Sequence, residues 1–283
     1  MIRGIHHVGI AVRSLAEAYR FYRDALGLPL IHEAEVPEQG VRAALLAAGD
    51  SEVELLEPLG AGSGMAKFIE RRGEGLHHVC FETPDVGADL IALNAKGAEL
   101  IDATPRIGLA GRIGFVHPRA CAGVLVELAT TELAGSRAHA RPLGADARPL
   151  GADARPLGAD ARPLGADARP LGADARPLGA DARPLGASGL RFRRAIIGAK
   201  DPRATAGVFQ RLFELPESGA AGPAHVMLAV GRTALQFVPP ADAGGVEGMA
   251  ALTMVAADVE RARAALAAAP TTHGVTLHIT RDE

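Results

Sequence analysis

Two stretches that each hold a pair of histidines decide the fold: HHVGIAV at residues 6–12 and GLHHVCFET at residues 75–83. Both are rich in β-branched and other apolar residues, which predicts strands. A segment with helix signals follows each of them, with Ser14 as the N-cap in the first case and Asp85 in the second. The chain therefore repeats a unit that begins with a strand and a helix within its first 130 residues.

The rest of each unit is predicted to form further strands. The helix after Ser14 has apolar residues at helical spacing and ends at Gly27, and the helix after Asp85 runs through Ala95. Strands are predicted at 41–48, 52–57, 112–116 and 123–129. The fold class is therefore α+β, built from paired βαβββ modules.

A heptapeptide repeat separates this region from the rest of the chain. RPLGADA begins at Arg141 and recurs every seven residues, with its last arginine at Arg183. A proline in every repeat excludes a continuous helix, and one leucine per repeat is too little apolar surface to offset the entropy of ordering. Residues 132–189 are therefore predicted to be a flexible linker between a first domain at 1–131 and a second at 190–283.

The second domain is predicted to be a degenerate and truncated copy of the first. FRRAIIGAKDPRATAGVFQRLFELPE at 192–217 parallels the first strand and helix, and GMAALTMVAADVERARAALAAAP at 248–270 parallels the second pair. In this alignment Arg194 replaces His7, Gln236 replaces Glu54, and Ala251 replaces His78. No counterpart of residues 111–129 is evident, so this domain is expected to hold no metal.

Composition excludes some functions. A net charge of −3 over 283 residues gives no electrostatic footprint for nucleic acid. The two cysteines, Cys80 and Cys121, form no CxxC motif and fit a reducing compartment. No segment has the pattern of a signal peptide or a membrane span, so a cytoplasmic protein without a membrane partner is expected.

Four polar residues stand out because strand alternation places each of them opposite an apolar face. In the first strand Val8 and Ile10 point to the core, whereas His7 points the other way beside small residues, and His6 is expected to lie with the apolar set or at the strand's start. The four residues occur at matching places in the repeated modules: His7, Glu54, His78 and Glu127. Two imidazoles and two carboxylates suit Co²⁺, Mn²⁺, Zn²⁺, Ni²⁺ or Fe²⁺ with open coordination positions.

These motifs resemble a known superfamily. Paired modules with HHVGIAV, VELLEP, GLHHVCFE and GVLVEL resemble the vicinal oxygen chelate (glyoxalase/bleomycin resistance/dioxygenase) proteins. Within that superfamily, the methylmalonyl-CoA epimerase family is the most similar, on the strength of EQGV at 38–41, GEGLHHV at 73–79 and FVHPRACAGVLVEL at 115–128. The resemblance covers residues 3–129.

The resemblance implies a concave mixed sheet that surrounds a divalent metal held by the four residues above. It implies an isomerase that interconverts the 2R and 2S epimers of methylmalonyl-CoA in propionate metabolism, with a metal-stabilised enolate formed by proton abstraction at C2. Glu127 and Glu54 are the candidate proton-transfer residues, and Gln39 and His117 the candidate substrate-binding residues. Some family members carry a glutamate where this chain has Ala43, so the second proton-transfer group is open.

Other interpretations stay open from sequence alone. A glutathione-dependent glyoxalase can use the same two histidines and two glutamates, and an extradiol-type dioxygenase needs two histidines and one carboxylate. A small-molecule-binding module of the same fold without catalytic activity is a third alternative. The expected partner is an acyl-CoA substrate. The resemblance also suggests a homodimer, although the fused C-terminal copy could replace the second subunit.

Overall fold

The computed structural model describes residues 2–130, 189–219, 222 and 224–281, which form an N-terminal and a C-terminal region of the same structural unit. The N-terminal region (residues 2–130) contains an eight-stranded sheet. The C-terminal region (residues 189–281) contains a five-stranded sheet. The predicted linker lies outside the described residues except for Gly189.

The N-terminal region confirms the predicted α+β class and adds elements that the sequence did not predict. Its strands are β1 (Gly4–Ala11), β2 (Leu30–Val36), β3 (Val41–Ala48), β4 (Ser51–Pro58), β5 (Gly75–Glu82), β6 (Arg106–Gly108), β7 (Gly111–Val116) and β8 (Leu125–Thr130). Its helices are α1 (Leu15–Tyr19), which continues as a π-helix over Arg20–Ala25, α2 (Gly64–Arg72) and α3 (Val86–Ala95). The predicted βαβββ modules contain three strands after each helix, but ranges were predicted for only two of them, so β2 and β6 were not located and helix α2 was not predicted.

The predicted helix caps are present. The Ser14 side chain accepts a hydrogen bond from the backbone of Glu17, and the Asp85 side chain accepts one from the backbone of Ala88. These caps satisfy amide groups that have no partner inside the helix. Gly27, with φ of 72°, lies just beyond the first helix, where a left-handed backbone conformation favours glycine.

The strand order reveals the internal repeat. The sheet runs β2-β3-β4-β1-β5-β8-β7-β6, with β1 parallel to β4, β5 parallel to β8, and β1 antiparallel to β5 at the centre. The two halves are thus related across the β1–β5 pair. Matching positions of the two modules therefore meet at the four central strands, β4-β1-β5-β8.

The C-terminal sheet has counterparts of five of the eight strands of the N-terminal sheet. Its elements are β9 (Arg191–Gly198), α4 (Pro202–Phe213), β10 (Val226–Val230), β11 (Thr233–Val238), β12 (Gly248–Val255), α5 (Val259–Ala268) and β13 (Thr276–Thr280). The sheet order β10-β11-β9-β12-β13 matches β3-β4-β1-β5-β8. Among the described residues, no strand corresponds to β2, β6 or β7.

One expectation for this region is wrong. The sequence comparison found no counterpart of β8, but β13 pairs in parallel with β12 as β8 does with β5. In this register His278 faces Thr253 where Glu127 faces Cys80, so His278 occupies the position of Glu127. The counterpart was missed because the described residues contain no equivalent of the β6–β7 hairpin that precedes β8, and β13 shares no motif with β8.

The two regions share one hydrophobic core. Buried residues of both sheets and of helices α3 and α4 belong to a single cluster. The Phe81 and Phe213 rings lie 5.1 Å apart, and the Tyr22 hydroxyl donates to the backbone oxygen of Thr272 at 3.0 Å. The C-terminal region is therefore a packing partner of the N-terminal region. In the part of the chain that the structure describes, no helix is long and apolar enough to cross a membrane.

Candidate metal centre and active site

The four central strands each bring one of the predicted ligands to the same point. His7 lies on β1, Glu54 on β4, His78 on β5 and Glu127 on β8. Gly9 pairs with Glu54 on one side and with His78 on the other, while Cys80 links His7 to Glu127 in register. The alternation of side chains then puts all four polar groups on one face of the sheet. The structure brings the four residues together as predicted.

The atoms that meet are the Nε2 atoms of the histidines and one carboxylate oxygen of each glutamate. His7 Nε2 lies 3.0 Å from His78 Nε2, and Glu127 Oε2 lies 3.1 and 2.9 Å from these two nitrogens. Glu54 Oε2 lies 3.5 Å from His7 Nε2 and 3.4 Å from His78 Nε2.

These separations suit one small cation. Ligands about 2.1 Å from an ion are about 3.0 Å apart at right angles and about 3.4 Å apart in a tetrahedral arrangement. The five separations above span this interval. Nitrogen and oxygen donors with this spacing fit a divalent transition metal, with room for further ligands in an octahedral arrangement.

The four side chains of the cluster are buried, and their charges interact at short distance. Its members are 0–6% exposed, so two carboxylates here need compensating positive charge. Burial lowers the pKa of His78, but hydrogen bonds with Glu127 and Glu54 outweigh it and raise that pKa to about 9. Burial raises the pKa of Glu127, but hydrogen bonds from His7 and His78 outweigh it and hold that pKa well below that of a free glutamate. A site that favours protons on its rings in this way also favours a bound cation.

Comparison with known proteins supports the family assignment that the sequence motifs predicted. Residues 6–115 match the glyoxalase/bleomycin resistance protein/dioxygenase superfamily. The uncharacterized protein YqjC of Bacillus subtilis is 44% identical over 125 residues, which are 44% of this chain and 89% of that protein. The mitochondrial methylmalonyl-CoA epimerase of Mus musculus is 37% identical over 44% of this chain and 71% of its own. The ethylmalonyl-CoA/methylmalonyl-CoA epimerase of Cereibacter sphaeroides is 37% identical over 45% of this chain and 98% of its own.

This chain belongs to the methylmalonyl-CoA epimerase family. The family and superfamily that the sequence motifs predicted are thereby confirmed. The matches span about 125–131 residues, which corresponds to the length of the N-terminal region.

Within the N-terminal region, Gly9 makes space for the imidazole of His78. A Cβ at position 9 would lie 2.1 Å from Cε1 and 2.3 Å from Nδ1 of His78, so the imidazole fills the volume that a side chain would take. In the C-terminal sheet the equivalent antiparallel pair is Ile196 and Ala251. In the C-terminal sheet the large side chain is therefore on the strand equivalent to β1 and the small one on the strand equivalent to β5. The Ile196 side chain fills space that the His78 ligand fills in the N-terminal sheet.

Different residues stand at the four ligand positions of the C-terminal sheet. They are Arg194, Gln236, Ala251 and His278, and Arg194 donates to the Thr253 hydroxyl at 3.3 Å. His278 is exposed. Across the described residues, every cluster of three or more histidine, cysteine or acidic side chains able to hold a metal lies in the N-terminal region.

A cavity of about 310 Å³ opens beside His78. Gln39, a candidate substrate-binding residue, lines this cavity, and so do two arginines that were not predicted, Arg71 and Arg106. Arg106 is held by Asp102 at 3.1 Å and stacks over the Phe115 ring. It was missed because it lies in β6, the strand of the second module for which no range was predicted.

Two further positions concern substrate binding and proton transfer: His117, a predicted substrate-binding residue, and Ala43, where some family members carry a glutamate. His117 is not among the residues that line this cavity; it is the N-cap of a short 3₁₀ helix, Pro118–Cys121, and its Nδ1 accepts from the backbone of Arg119 at 3.1 Å. Ala43 is 1% exposed and packs with Val41 and Leu56 in an apolar cluster. Position 43 therefore offers no group for proton transfer.

Proposed function

We propose that the protein interconverts the 2R and 2S epimers of methylmalonyl-CoA. The convergence of His7, Glu54, His78 and Glu127 carries this proposal. It is supported by 37% identity to the Cereibacter sphaeroides epimerase over 98% of that protein. A carbon acid such as C2 of this substrate needs stabilisation of negative charge and a positioned base. A buried cluster of two histidines and two carboxylates beside a cavity can supply both.

The four residues are proposed to hold Co²⁺, Mn²⁺, Zn²⁺, Ni²⁺ or Fe²⁺. A bound divalent cation would stabilise the negative charge that develops on the thioester oxygen when the C2 proton is removed. His7 and His78 contribute neutral nitrogen donors, and Glu54 and Glu127 supply the negative charge that offsets the cation. Burial of all four excludes competing water from the protein side of the site.

Inversion at C2 requires a proton to leave from one face and another to arrive on the opposite face. We propose Glu127 as one proton-transfer group, because it reaches the cluster from β8, with its Oε2 atom 3.1 and 2.9 Å from the Nε2 atoms of His7 and His78. Glu54 is proposed as the second group, since it contacts the cluster from β4, on the opposite side of β1 from Glu127. The position at which some family members carry a glutamate is occupied by the buried Ala43.

The cavity would hold the remainder of the acyl-CoA. Arg106 and Arg71 place positive charge on its wall, which suits the free carboxylate and the phosphates of this substrate. Gln39 can donate to or accept from the thioester end. A cytoplasmic location and a homodimer stay part of the proposal; Cys80 and Cys121 are both free and buried, which fits a reducing compartment.

The proposal is tested by proton exchange. The protein loaded with Co²⁺ or Mn²⁺ is incubated with (2S)-methylmalonyl-CoA in D₂O, and deuterium at C2 and the epimer ratio are followed. We expect both to change with the wild-type protein and neither to change with Glu127→Gln. His278→Ala is the matched control, because His278 occupies the position of Glu127 in the C-terminal sheet.

Parallel substrates separate the alternatives. Turnover of the methylglyoxal–glutathione hemithioacetal without exchange on the CoA ester would replace the epimerase proposal with a glyoxalase. Oxygen consumption that needs Fe²⁺ and survives Glu54→Gln would indicate a dioxygenase with two histidines and one carboxylate. The position of Glu54, within 3.5 Å of both histidine nitrogens, favours a four-ligand site over that triad.

A further inference from the structure

The central strand pair contains two β-bulges, and each of them places a histidine directly before a metal-ligand candidate. In the β1–β5 pairing, Ile5 and His7 face consecutive residues of β5, so that His6 is the extra residue. Gly9 and Ile10 face His78 and Leu76, so that His77 is the extra residue on the other strand. We call His6 and His77 the bulge histidines. A bulge re-aims side chains locally, which simple alternation does not anticipate.

Both bulge histidines touch the ligand candidate that follows them, and both do so through the same atoms. His6 Nδ1 lies 2.8 Å from His7 Nδ1, and His77 Nδ1 lies 3.0 Å from His78 Nδ1. Two ring nitrogens at this distance need one proton between them, so one ring donates and the other accepts. The Nε2 atoms of His7 and His78 meanwhile face the cluster. The structure thus places the His6 ring beside the His7 ring, whereas the sequence predicted His6 with the apolar set or at the strand's start.

We propose that His6 and His77 are positioning residues that fix the tautomer of the two metal ligands. In this arrangement His7 and His78 carry their proton on Nδ1 and donate it to the bulge histidine. Their Nε2 lone pairs are then free to bind a cation. Hydrogen bonds of this kind orient metal-binding imidazoles and raise their basicity, and removal of such a partner typically costs about 10–100-fold in metal affinity.

The C-terminal sheet shows that the bulges themselves do not require histidine. Its β9–β12 pairing skips one residue on each strand at the equivalent places, which are Arg193 and Ala250. The bulges are thus a feature of the fold, and the extra residue can be an arginine or an alanine as well as a histidine. Of the two described sheets, the one with histidine in both bulges is the one with the ligand cluster, which links these two rings to the metal centre and not to the strand geometry.

Paired substitutions test the proposal on the full-length protein without any substrate. Leu at either position removes the acceptor, whereas the side-chain oxygen of Asn can accept near the place of Nδ1. We expect His6→Leu and His77→Leu to bind Zn²⁺ about 10–100-fold more weakly, as measured by competition with a chromophoric chelator. His6→Asn and His77→Asn should stay within about threefold of the wild type, since the acceptor is retained. The visible spectrum of bound Co²⁺ should shift in the Leu variants only.

Two outcomes would overturn the proposal: Leu variants that are folded and bind Zn²⁺ as tightly as the wild type, or folded Asn variants that bind as weakly as the Leu variants. If a variant does not fold, ¹⁵N-histidine NMR of the Zn²⁺-loaded wild-type protein decides. Protonated Nδ1 and coordinated Nε2 on His7 and His78 support the proposal, and coordination through Nδ1, or on a bulge histidine, refutes it. Because no substrate is used, these results are independent of whether the protein is an epimerase.

Discussion

Gly9→Ala should weaken metal binding while it leaves the fold intact. The added Cβ would lie 2.1 Å from Cε1 of His78, and ordinary contacts begin at 3.4 Å, so the ring has to move by about 1.3 Å. Metal–ligand distances vary by only about 0.2 Å between sites. A ring displaced by this amount therefore leaves the coordination sphere, although the backbone at position 9 can accept alanine because its conformation is not left-handed.

The size of the effect follows from the number of ligands. A four-ligand zinc site is worth about 10–16 kcal/mol, so one ligand accounts for roughly 3 kcal/mol. This corresponds to a dissociation constant that is roughly 100-fold higher. Zn²⁺ titration against a chelator measures it, with thermal unfolding followed by circular dichroism as the check on the fold. Gly4→Ala, on the same strand, is the control and should bind normally, because a Cβ added there would meet no atom within 4 Å.

A double-mutant cycle makes the reasoning refutable. If Gly9 matters only because it accommodates the His78 ring, then Gly9→Ala combined with His78→Ala should lose no more affinity than His78→Ala alone. Additive losses would show that Gly9 acts through something other than this ring. Metal binding by Gly9→Ala within about threefold of the wild type would refute the steric argument directly, since the loss of one ligand should be far larger.

Three further outcomes test the packing of the two regions. Phe213→Ala should lower the free energy of unfolding by about 3–5 kcal/mol in denaturant titrations, because the ring is buried against Phe81; a loss below about 1 kcal/mol would mean that the shared core contributes little. Tyr22→Phe should lower it by about 1 kcal/mol, since it leaves the Thr272 carbonyl without its donor. Lys96→Met should change it by less than about 1 kcal/mol, because the carboxylate that Lys96 pairs with is exposed.

Periodicity predicted the ligands because each lies on a strand with one apolar face. Val8 and Ile10 are fully buried in the main core, and the intervening positions turn to the other side. That single fact, repeated in two modules, is sufficient to place His7 and His78 on a common face. The same logic extends to Glu54 and Glu127, whose strands lie beside β1 and β5.

Features that depend on pairing could not be predicted in the same way. A bulge adds one residue to one strand only, so the sequence of β1 gives no sign that His6 turns towards His7. The role of β13 was hidden for a related reason, because only its parallel pairing with β12 identifies it as the counterpart of β8. Arg106 reaches the cavity from a three-residue strand that is too short to show any periodicity.

The comparison of the two sheets separates what builds the frame from what builds the site. Both sheets keep the parallel and antiparallel pairings, the register and the two bulges, so none of these by itself makes a metal centre. The C-terminal sheet differs in the groups placed on that frame, and the Gly9–His78 pair has become Ile196 and Ala251. A histidine introduced at position 251 alone would clash with the Ile196 side chain, because the space that Gly9 leaves for His78 is absent there. A metal site on this sheet therefore needs three features together: the ligand His78, the space that Gly9 leaves for its ring, and the hydrogen-bond acceptor His77. The ligand without the space causes a steric clash, and the ligand without the acceptor leaves a buried N–H group unpaired.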